Sequence, residues 1–330
     1  MVEISLTSGA RFTAETDKSI LDSASMANLS LAYSCRTGRC STCKCKVISG
    51  STEVLHAELG LTEEEKADGW ILSCVRSAKS DLVIEAEDLG DVVIPAAKTV
   101  PCRINGLDKL ASDVLCVQLR LPPSTEFDYL PGQYIDIIGQ GGVRRSYSVA
   151  NARREDKSLE LHIREVDGGA MSDYWFNCAK DKDLLRLHGP LGTFFLRDCN
   201  GKDLFFLATG TGIAPVKAML ESLVSVETYR PNSITVLWGG RVEQDLYFGV
   251  EELLPNVRYV PVLSRAEDSW SGARGHVQDV LLAQAPDLTN AVVYACGSDA
   301  MIHSAQKVLI HSGLPEKQFF SDAFVCSASN

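Results

Sequence analysis

No apolar run in the chain approaches the ~20 residues that a bilayer crossing requires, so no transmembrane helix is expected. The opening residues MVEISLTSGARF hold neither a basic stretch nor an apolar core. They argue against a secretory leader, and the cytoplasm is the expected compartment. Positive charge is also scarce. Thirty-two Lys and Arg stand against 43 Asp and Glu, a net charge of −11, whereas binding to phosphate backbones needs clustered cations; nucleic acid is not an expected partner. Internal repeats and low-complexity tracts are missing as well, which leaves solenoids and disordered arrays aside.

What is present fits a soluble globular protein: 45% hydrophobic and 23% charged residues over 330 positions, enough chain for two or three domains. Charge is uneven. Residues 1–92 hold 15 acids against 9 bases, a net −6, which is either an acidic face that steers a basic partner or a solvated surface. Cysteine is abundant, with 11 in the chain. Without an export signal, that number points to metal or redox chemistry rather than to disulfides.

The chain divides by rhythm. Residues 1–92 read as short strands (VEISL, RFTAE, KCKVISG, ILSCV, SDLVIEA) around two helices, one capped by Ser19 and one opened by a Thr62–Glu65 capping box. The segment GDVVIPAAKTVPCRI, with Pro95 and Pro101, reads as a linker around 93–101. Residues 98–200 are mostly short β-like runs with one helix near SDYWFNCA, the pattern of a small antiparallel barrel. From 203 to 330 apolar strands alternate with amphipathic helices, one of them near EELLP, which predicts a doubly wound parallel sheet.

Cys35, Cys40, Cys43 and Cys74 form C-x4-C-x2-C with a lone cysteine downstream, the plant-type spacing for a [2Fe–2S] cluster. Two irons need four thiolates; a tight loop can supply three and a returning strand the fourth. Zinc is the rival, but zinc sites usually pair two C-x2-C hairpins and only one is present. Cys45 reads as a bystander.

RSYS, Arg145 to Ser148, ends a strand of the barrel segment. Arg145 suits a pyrophosphate, Tyr147 an isoalloxazine face, and Ser148 a ring nitrogen. VDGGAMS adds Gly168 and Gly169 for close backbone approach and Ser172 at an expected helix start, and HGPLGTF adds a tight turn at Gly189 to Thr193. Each piece alone could be an ordinary turn.

FFLATGTGIAP sets Gly210, Thr211 and Gly212 between a strand and a helix, a phosphate-cradling position, and YACGSDAM sets Cys296 and Gly297 at the end of a later strand. Cys296 is either a nicotinamide contact or a small buried thiol. Arg241 and the pair Ser264–Arg265 suit a 2′-phosphate, whereas Asp245 suits a ribose hydroxyl. NADH is the expected donor, with NADPH the alternative.

Together these signatures resemble the ferredoxin–NADP reductase superfamily, in its subgroup with an N-terminal plant-type ferredoxin domain, over nearly the whole chain. LPGQYIDI, SYSVA, GPLGTFF, YACGSDAM and FFSDAFV are similar to reductases of dideoxysugar biosynthesis, while SCRTGRCSTCKCKV and DLYF are also similar to reductase components of Rieske oxygenases. The resemblance implies a β-grasp ferredoxin domain, an FAD-binding antiparallel β-barrel and a doubly wound nucleotide domain. Flavin contacts carried over fall on Arg145, Ser146, Tyr147, Ser148, His162, Arg164, Gly169, Met171 and Ser172. Nicotinamide contacts fall on Gly210, Thr211, Gly212, Cys296 and Gly297, and a C-terminal aromatic shielding the flavin falls on Phe324. NADH gives two electrons as a hydride whereas the cluster takes one at a time, so the flavin must stand between them, with Ser148 and Cys296 aligning donor and acceptor. The implied electron acceptor is a pyridoxamine-phosphate-dependent sugar 3-dehydrase or, alternatively, an oxygenase component. The reductase itself is expected to be monomeric.

Overall fold

The computed structural model describes residues 1–90, 92–225, 229–254 and 256–324. Residues 325–330, the tail of the expected nucleotide domain, lie outside them. The chain forms two compact units, with the boundary between Ile94 and Pro95.

The first unit runs β1 (Val2–Leu6), β2 (Arg11–Ala14), α1 (Ile20–Met26), β3 (Lys44–Ser49), β4 (Thr52–Val54), α2 (Glu63–Ala67), β5 (Trp70–Leu72), β6 (Arg76–Ala78) and β7 (Leu82–Glu85). Its main sheet has the order β2-β1-β7-β3-β5, with β1 and β7 parallel and the remaining neighbours antiparallel. Alternation drives it. Ile4, Leu6, Phe12, Ala14 and Ile84 point to one side and bury against Ile20, Leu21 and Ala24 of α1. Ser19 caps α1 by accepting from the Asp22 amide, and Thr62 and Glu65 close the expected capping box on α2.

The second unit begins with a six-stranded antiparallel sheet. Its strands are β8 (Lys98–Ala111), β9 (Val114–Arg120), β10 (Tyr134–Ile138), β11 (Arg144–Ser148), β12 (Ser158–Arg164) and, after α3 (Ala170–Asp173), β13 (Leu184–Leu191). The order is β11-β10-β13-β8-β9-β12, and a bridge between Val149 and Leu161 joins the two edges into a barrel. The linker reading of 93–101 needs correction, because β8 starts at Lys98. Pro101 is tolerated there since β8 pairs with β13 alone until Arg103 meets Arg120 of β9, so the missing N–H breaks no second ladder. The helix near SDYWFNCA is present, but α3 passes into a wider π turn at Tyr174–Cys178.

The barrel is followed by β14 (Asp203–Thr209), α4 (Ile213–Ser225), β15 (Ser233–Gly240), β16 (Arg258–Leu263), β17 (Ala273–Arg274), α5 (Val277–Leu282), β18 (Ala291–Ser298), α6 (Asp299–His311) and β19 (Phe319–Phe324). All pairs in this sheet are parallel, in the order β17-β16-β15-β14-β18-β19. α4 packs with Phe206 and Trp238 in one core, while Val277 of α5 lies against Gly239 on the opposite face. The sheet is therefore doubly wound. The helix expected near EELLP is only a single 3-10 turn, Val250–Glu252.

Candidate functional site

The cysteine loop can curl because Arg36, Gly38 and Ser41 take positive φ, 56°, 73° and 60°. A Cβ on Gly38 would collide with the Ala57 carbonyl oxygen and the Val75 methyls, so the loop lies flat on the 55–60 segment. That segment is pinned from behind by Glu58, a buried carboxylate that accepts from the Leu72 amide at 2.8 Å and pairs with Arg76 at 2.8 Å. Backbone amides turn towards sulfur: Cys35 N to Cys40 Sγ at 3.3 Å and Thr37 N to Cys35 Sγ at 3.4 Å. Cys43 and Cys74 sulfurs lie 3.2 Å apart. The Cys35 thiol is lowered to about 5, first by the hydrogen bond from Cys40 and then, against burial, by Thr37. Four convergent sulfurs with amide donors are the donor set a [2Fe–2S] cluster needs. Cys45 is buried in the first unit's core among Ile4, Ile71 and Ile84, its thiol pushed up to about 12 by burial. It is the expected bystander.

On the barrel, Tyr147 is half-buried and Ser148 buried, while Arg145 and Ser146 are exposed. The Tyr147 ring is held from behind. Trp175, on the π turn, donates its indole N–H to the Tyr147 hydroxyl at 3.0 Å and meets the ring edge-on at 6.1 Å. Indole is a donor only, so the tyrosine proton stays free to point outwards. Gly168, at φ 69°, lets the loop turn into α3, with Gly169 as N-cap. Gly189 to Leu191 of the expected turn continue β13, and the chain turns only at Gly192, where φ is 82° and a Cβ would sit 2.8 Å from the Tyr134 ring. Three of the flavin contacts implied by the resemblance also make contacts within the fold. Ser146 gives its hydroxyl to Asp136 at 2.7 Å. Met171 is buried in the barrel core beneath Gly139. Ser172 is inside α3 rather than at its start, and accepts from the Val166 amide at 2.7 Å.

The parallel sheet changes direction between β14 and β18: β15, β16 and β17 follow on one side of β14, β18 and β19 on the other. Ligands of doubly wound sheets bind at the carboxyl ends beside such a switch. Gly210 to Gly212 and Cys296–Gly297 occupy those ends, side by side. A Cβ on Gly212 would strike the Cys296 carbonyl, and one on Gly297 would strike Thr209. The cradle therefore requires glycine, and α4 presents its N-terminus there, as a dinucleotide pyrophosphate demands.

Other residues of the expected nucleotide and flavin sets are held by contacts within the fold. Asp245 is engaged by its own loop: Oδ2 accepts from the Arg241 amide at 2.7 Å and the Val242 amide at 3.3 Å, and Oδ1 meets Arg164 at 3.3 Å. It holds the turn after β15. Arg164 also pairs with Asp113 at 3.2 Å, and its guanidinium lies 3.1 Å from where a Gly210 side chain would be, so it belongs to the nucleotide turn as much as to the flavin face. His162 is buried between Glu160 (3.0 Å) and the Tyr247 hydroxyl (3.1 Å). Burial lowers its pKa more than Glu160 raises it, so it sits neutral between barrel and sheet. Cys296 is fully buried; burial and then Asp322 push its thiol well up, so it backs the cradle instead of lining an open surface. Phe324 ends β19, beside Ser298 and about one-third exposed at 37%. Arg241 and Arg265 are exposed, and among the described residues neither guanidinium forms an ion pair. Sequence reasoning missed Asp322, buried opposite Cys296 on β19, together with Glu160, Lys217, Glu221 and Tyr247, which join barrel to sheet.

A four-thiol loop, a closed barrel with a held tyrosine and a glycine cradle at a sheet switch define an iron–sulfur flavoprotein that takes electrons from a nicotinamide. The chain matches the family models of the 2Fe-2S iron-sulfur cluster binding domain at residues 4–79, the oxidoreductase FAD-binding domain at 101–196 and the oxidoreductase NAD-binding domain at 206–307. It is 42% identical to the CDP-6-deoxy-L-threo-D-glycero-4-hexulose-3-dehydrase reductase of Yersinia pestis, over 97% of both chains. The protein belongs to that family of NAD(P)H-dependent reductases, with a [2Fe–2S] cluster, FAD and a nicotinamide nucleotide as cofactors. A more distant relative is reductase component 2 of terephthalate 1,2-dioxygenase from Comamonas, 30% identical over 95% of this chain and 94% of its own. Among solved structures, the Amycolatopsis cytochrome P450 reductase GcoB is similar with a TM-score of 0.75 and 28% identity, covering 98% of this chain and 99% of that one.

Proposed function

We propose that this reductase delivers its electrons to a dehydrase acting on a CDP-6-deoxy-4-hexulose. The observation that carries the proposal is the gap in identity: 42% to the Yersinia dehydrase reductase against 30% to the terephthalate dioxygenase component, each over at least 94% of both chains. Assigned to this task are a cluster domain at 1–92, a flavin barrel at 98–200 and a nucleotide domain at 203–330. All three cofactors fit on one chain, so a monomer suffices, and the ten described cysteines are all free, as suits a cytoplasmic protein.

When bound, the flavin accepts a hydride from the nicotinamide and the cluster carries single electrons onward. The protein's part is positional. Gly210 to Gly212 and the α4 N-terminus would hold the nucleotide pyrophosphate, Arg145 would hold the flavin's own, and Tyr147 and Ser148 would orient the ring. Cys296 and Asp322 would form the wall behind the nicotinamide. Nothing here needs a general acid or base, because hydride transfer depends on alignment.

The test is an anaerobic absorbance titration with NADH and with NADPH, then turnover coupled either to the sugar dehydrase or to a Rieske oxygenase. Bleaching of flavin and cluster bands by NADH, with turnover of the dehydrase alone, is the expected result. Bleaching by NADPH only would make Arg241 or Arg265 a 2′-phosphate ligand, as the engagement of Asp245 with its own loop allows. Turnover of the oxygenase alone would overturn the proposed acceptor.

A further inference from the structure

Between the barrel and the parallel sheet lies a charge cluster that the hydride chemistry does not use. Glu160 of β12 receives three donors: His162 Nε2 at 3.0 Å, Lys217 Nζ at 3.1 Å and Arg154 Nη2 at 3.1 Å. Lys217 also reaches Glu221, one turn along α4, at 2.6 Å and the Ala150 carbonyl at 3.2 Å. Glu221 in turn accepts from the Ala152 amide at 2.8 Å and pairs with Arg154 at 3.6 Å. The side chains of Glu160 and Lys217 are only 10% and 12% exposed.

Cys116, Glu160 and His162 have ligand atoms within 4.8 Å of one another, so a metal is the first idea to weigh. Charge argues against it. Two carboxylates already face two cations, and a metal would have to displace Lys217 from Glu160. Stability alone is an equally poor explanation, because buried ion pairs often contribute no more than an apolar packing of the same volume. What such a network does supply is one allowed geometry, since a shifted register leaves a buried charge unpaired.

The position of the network says which geometry matters. Lys217 and Glu221 stand on α4, the helix that starts at the glycine cradle. Ala150, Ala152 and Arg154 follow directly on β11, the strand that ends at Ser148. We propose that Lys217, clamped by Glu160 and Glu221, is a positioning residue for hydride transfer: it locks the nucleotide-bearing helix onto the flavin-bearing strand so that nicotinamide and flavin meet in register. Lys217 exchanges no proton and touches neither ring. The inference rests on the hydride step of the function above.

The experiment compares wild type, Lys217→Met and Glu221→Gln as holoenzymes in anaerobic stopped flow with NADH and with NADH deuterated at C4. Lys217→Met is expected to retain FAD and cluster while its limiting rate of flavin reduction falls about ten- to hundredfold, the usual effect of a misaligned donor. Its nicotinamide–flavin charge-transfer absorbance weakens and its deuterium isotope effect rises, which simple loss of stability would not produce. Glu221→Gln leaves Glu160 paired with Lys217, Arg154 and His162, so it reads the same quantities with a smaller drop should Lys217→Met lose its flavin. Wild-type rates and isotope effects in Glu221→Gln, and in every Lys217→Met molecule that keeps FAD, would overturn the clamp. Failure of NADH or NADPH to reduce the wild-type flavin would instead sink the hydride reading on which it stands.

Discussion

In the cluster loop, three of four sulfur donors come from nine consecutive residues, Cys35 to Cys43, and the fourth from the turn between β5 and β6 at Cys74, inside one small unit. The proposed hydride site, with the seam beside it, is assembled differently. Ser148 comes from β11, Glu160 from β12, Gly210 and Lys217 from the turn and helix after β14, and Cys296 from β18. The first arrangement depends on local backbone: positive-φ residues, glycine contacts and amides aimed at sulfur. The second depends on two packed layers keeping their relative register. A local site tolerates change elsewhere, whereas a shared site feels any change along its seam.

The sharpest way to break that comparison is to remove a cluster ligand. Cys74→Ser is expected to abolish or strongly shift the iron–sulfur absorbance and to bring cytochrome c reduction to background, while NADH still bleaches the flavin at the wild-type rate. Visible spectra and single-turnover kinetics on the same sample check both halves. Loss of both steps together would show that the cluster unit and the flavin unit are not independent.

A smaller effect separates the two regions by acid. Burial raises the Glu160 pKa, but the hydrogen bond from His162 and the charge of Lys217 outweigh it, holding the carboxyl at about 2 against an ordinary 4.5. Between those values the unfolded chain binds a proton that the folded chain refuses. Stability from this group is therefore complete above about pH 4.5 and falls with pH towards about 2, by about 3 kcal/mol in all. Unfolding of the flavin-bearing unit, followed by release of flavin fluorescence, should show that acid slope in wild type and a shallower one in Glu160→Gln. The slope is the readout, since the substitution also changes absolute stability. Equal slopes would mean that the seam charges do not couple to folding.

How far the sequence was legible follows the same division. The cysteine spacing, both helix caps of the first unit and the strand–turn–helix at Gly210 are local patterns, and all appear in the structure as expected. Two prolines make 93–101 read as a linker although its end, 98–101, already belongs to β8; only the pairing partners reveal that Pro101 lies where one side of the strand is free. Asp245 reads from sequence as a ribose partner because its side chain suits one. That its oxygens close its own loop depends on a turn whose shape no periodicity announces. Glu160 and Lys217 are 57 positions apart, and nothing in charge or spacing pairs them before the barrel is set against the sheet.

Ser148 offers the finest test, because the contact proposed for it is with the flavin ring alone and not with the charged seam. It is buried at the end of β11, two residues before the Ala150 carbonyl that holds Lys217. If its hydroxyl orients the flavin ring, Ser148→Ala removes one alignment contact and leaves the network intact. Flavin reduction is then expected to slow about tenfold, equivalent to about 1.4 kcal/mol of barrier, with the cluster spectrum and FAD content unchanged. Combined with Lys217→Met, the two losses should be less than additive, because both act on one distance between nicotinamide and flavin. Fully additive effects would mean that strand and helix set the alignment independently, and unchanged single-turnover kinetics in Ser148→Ala would remove the serine from the hydride step altogether.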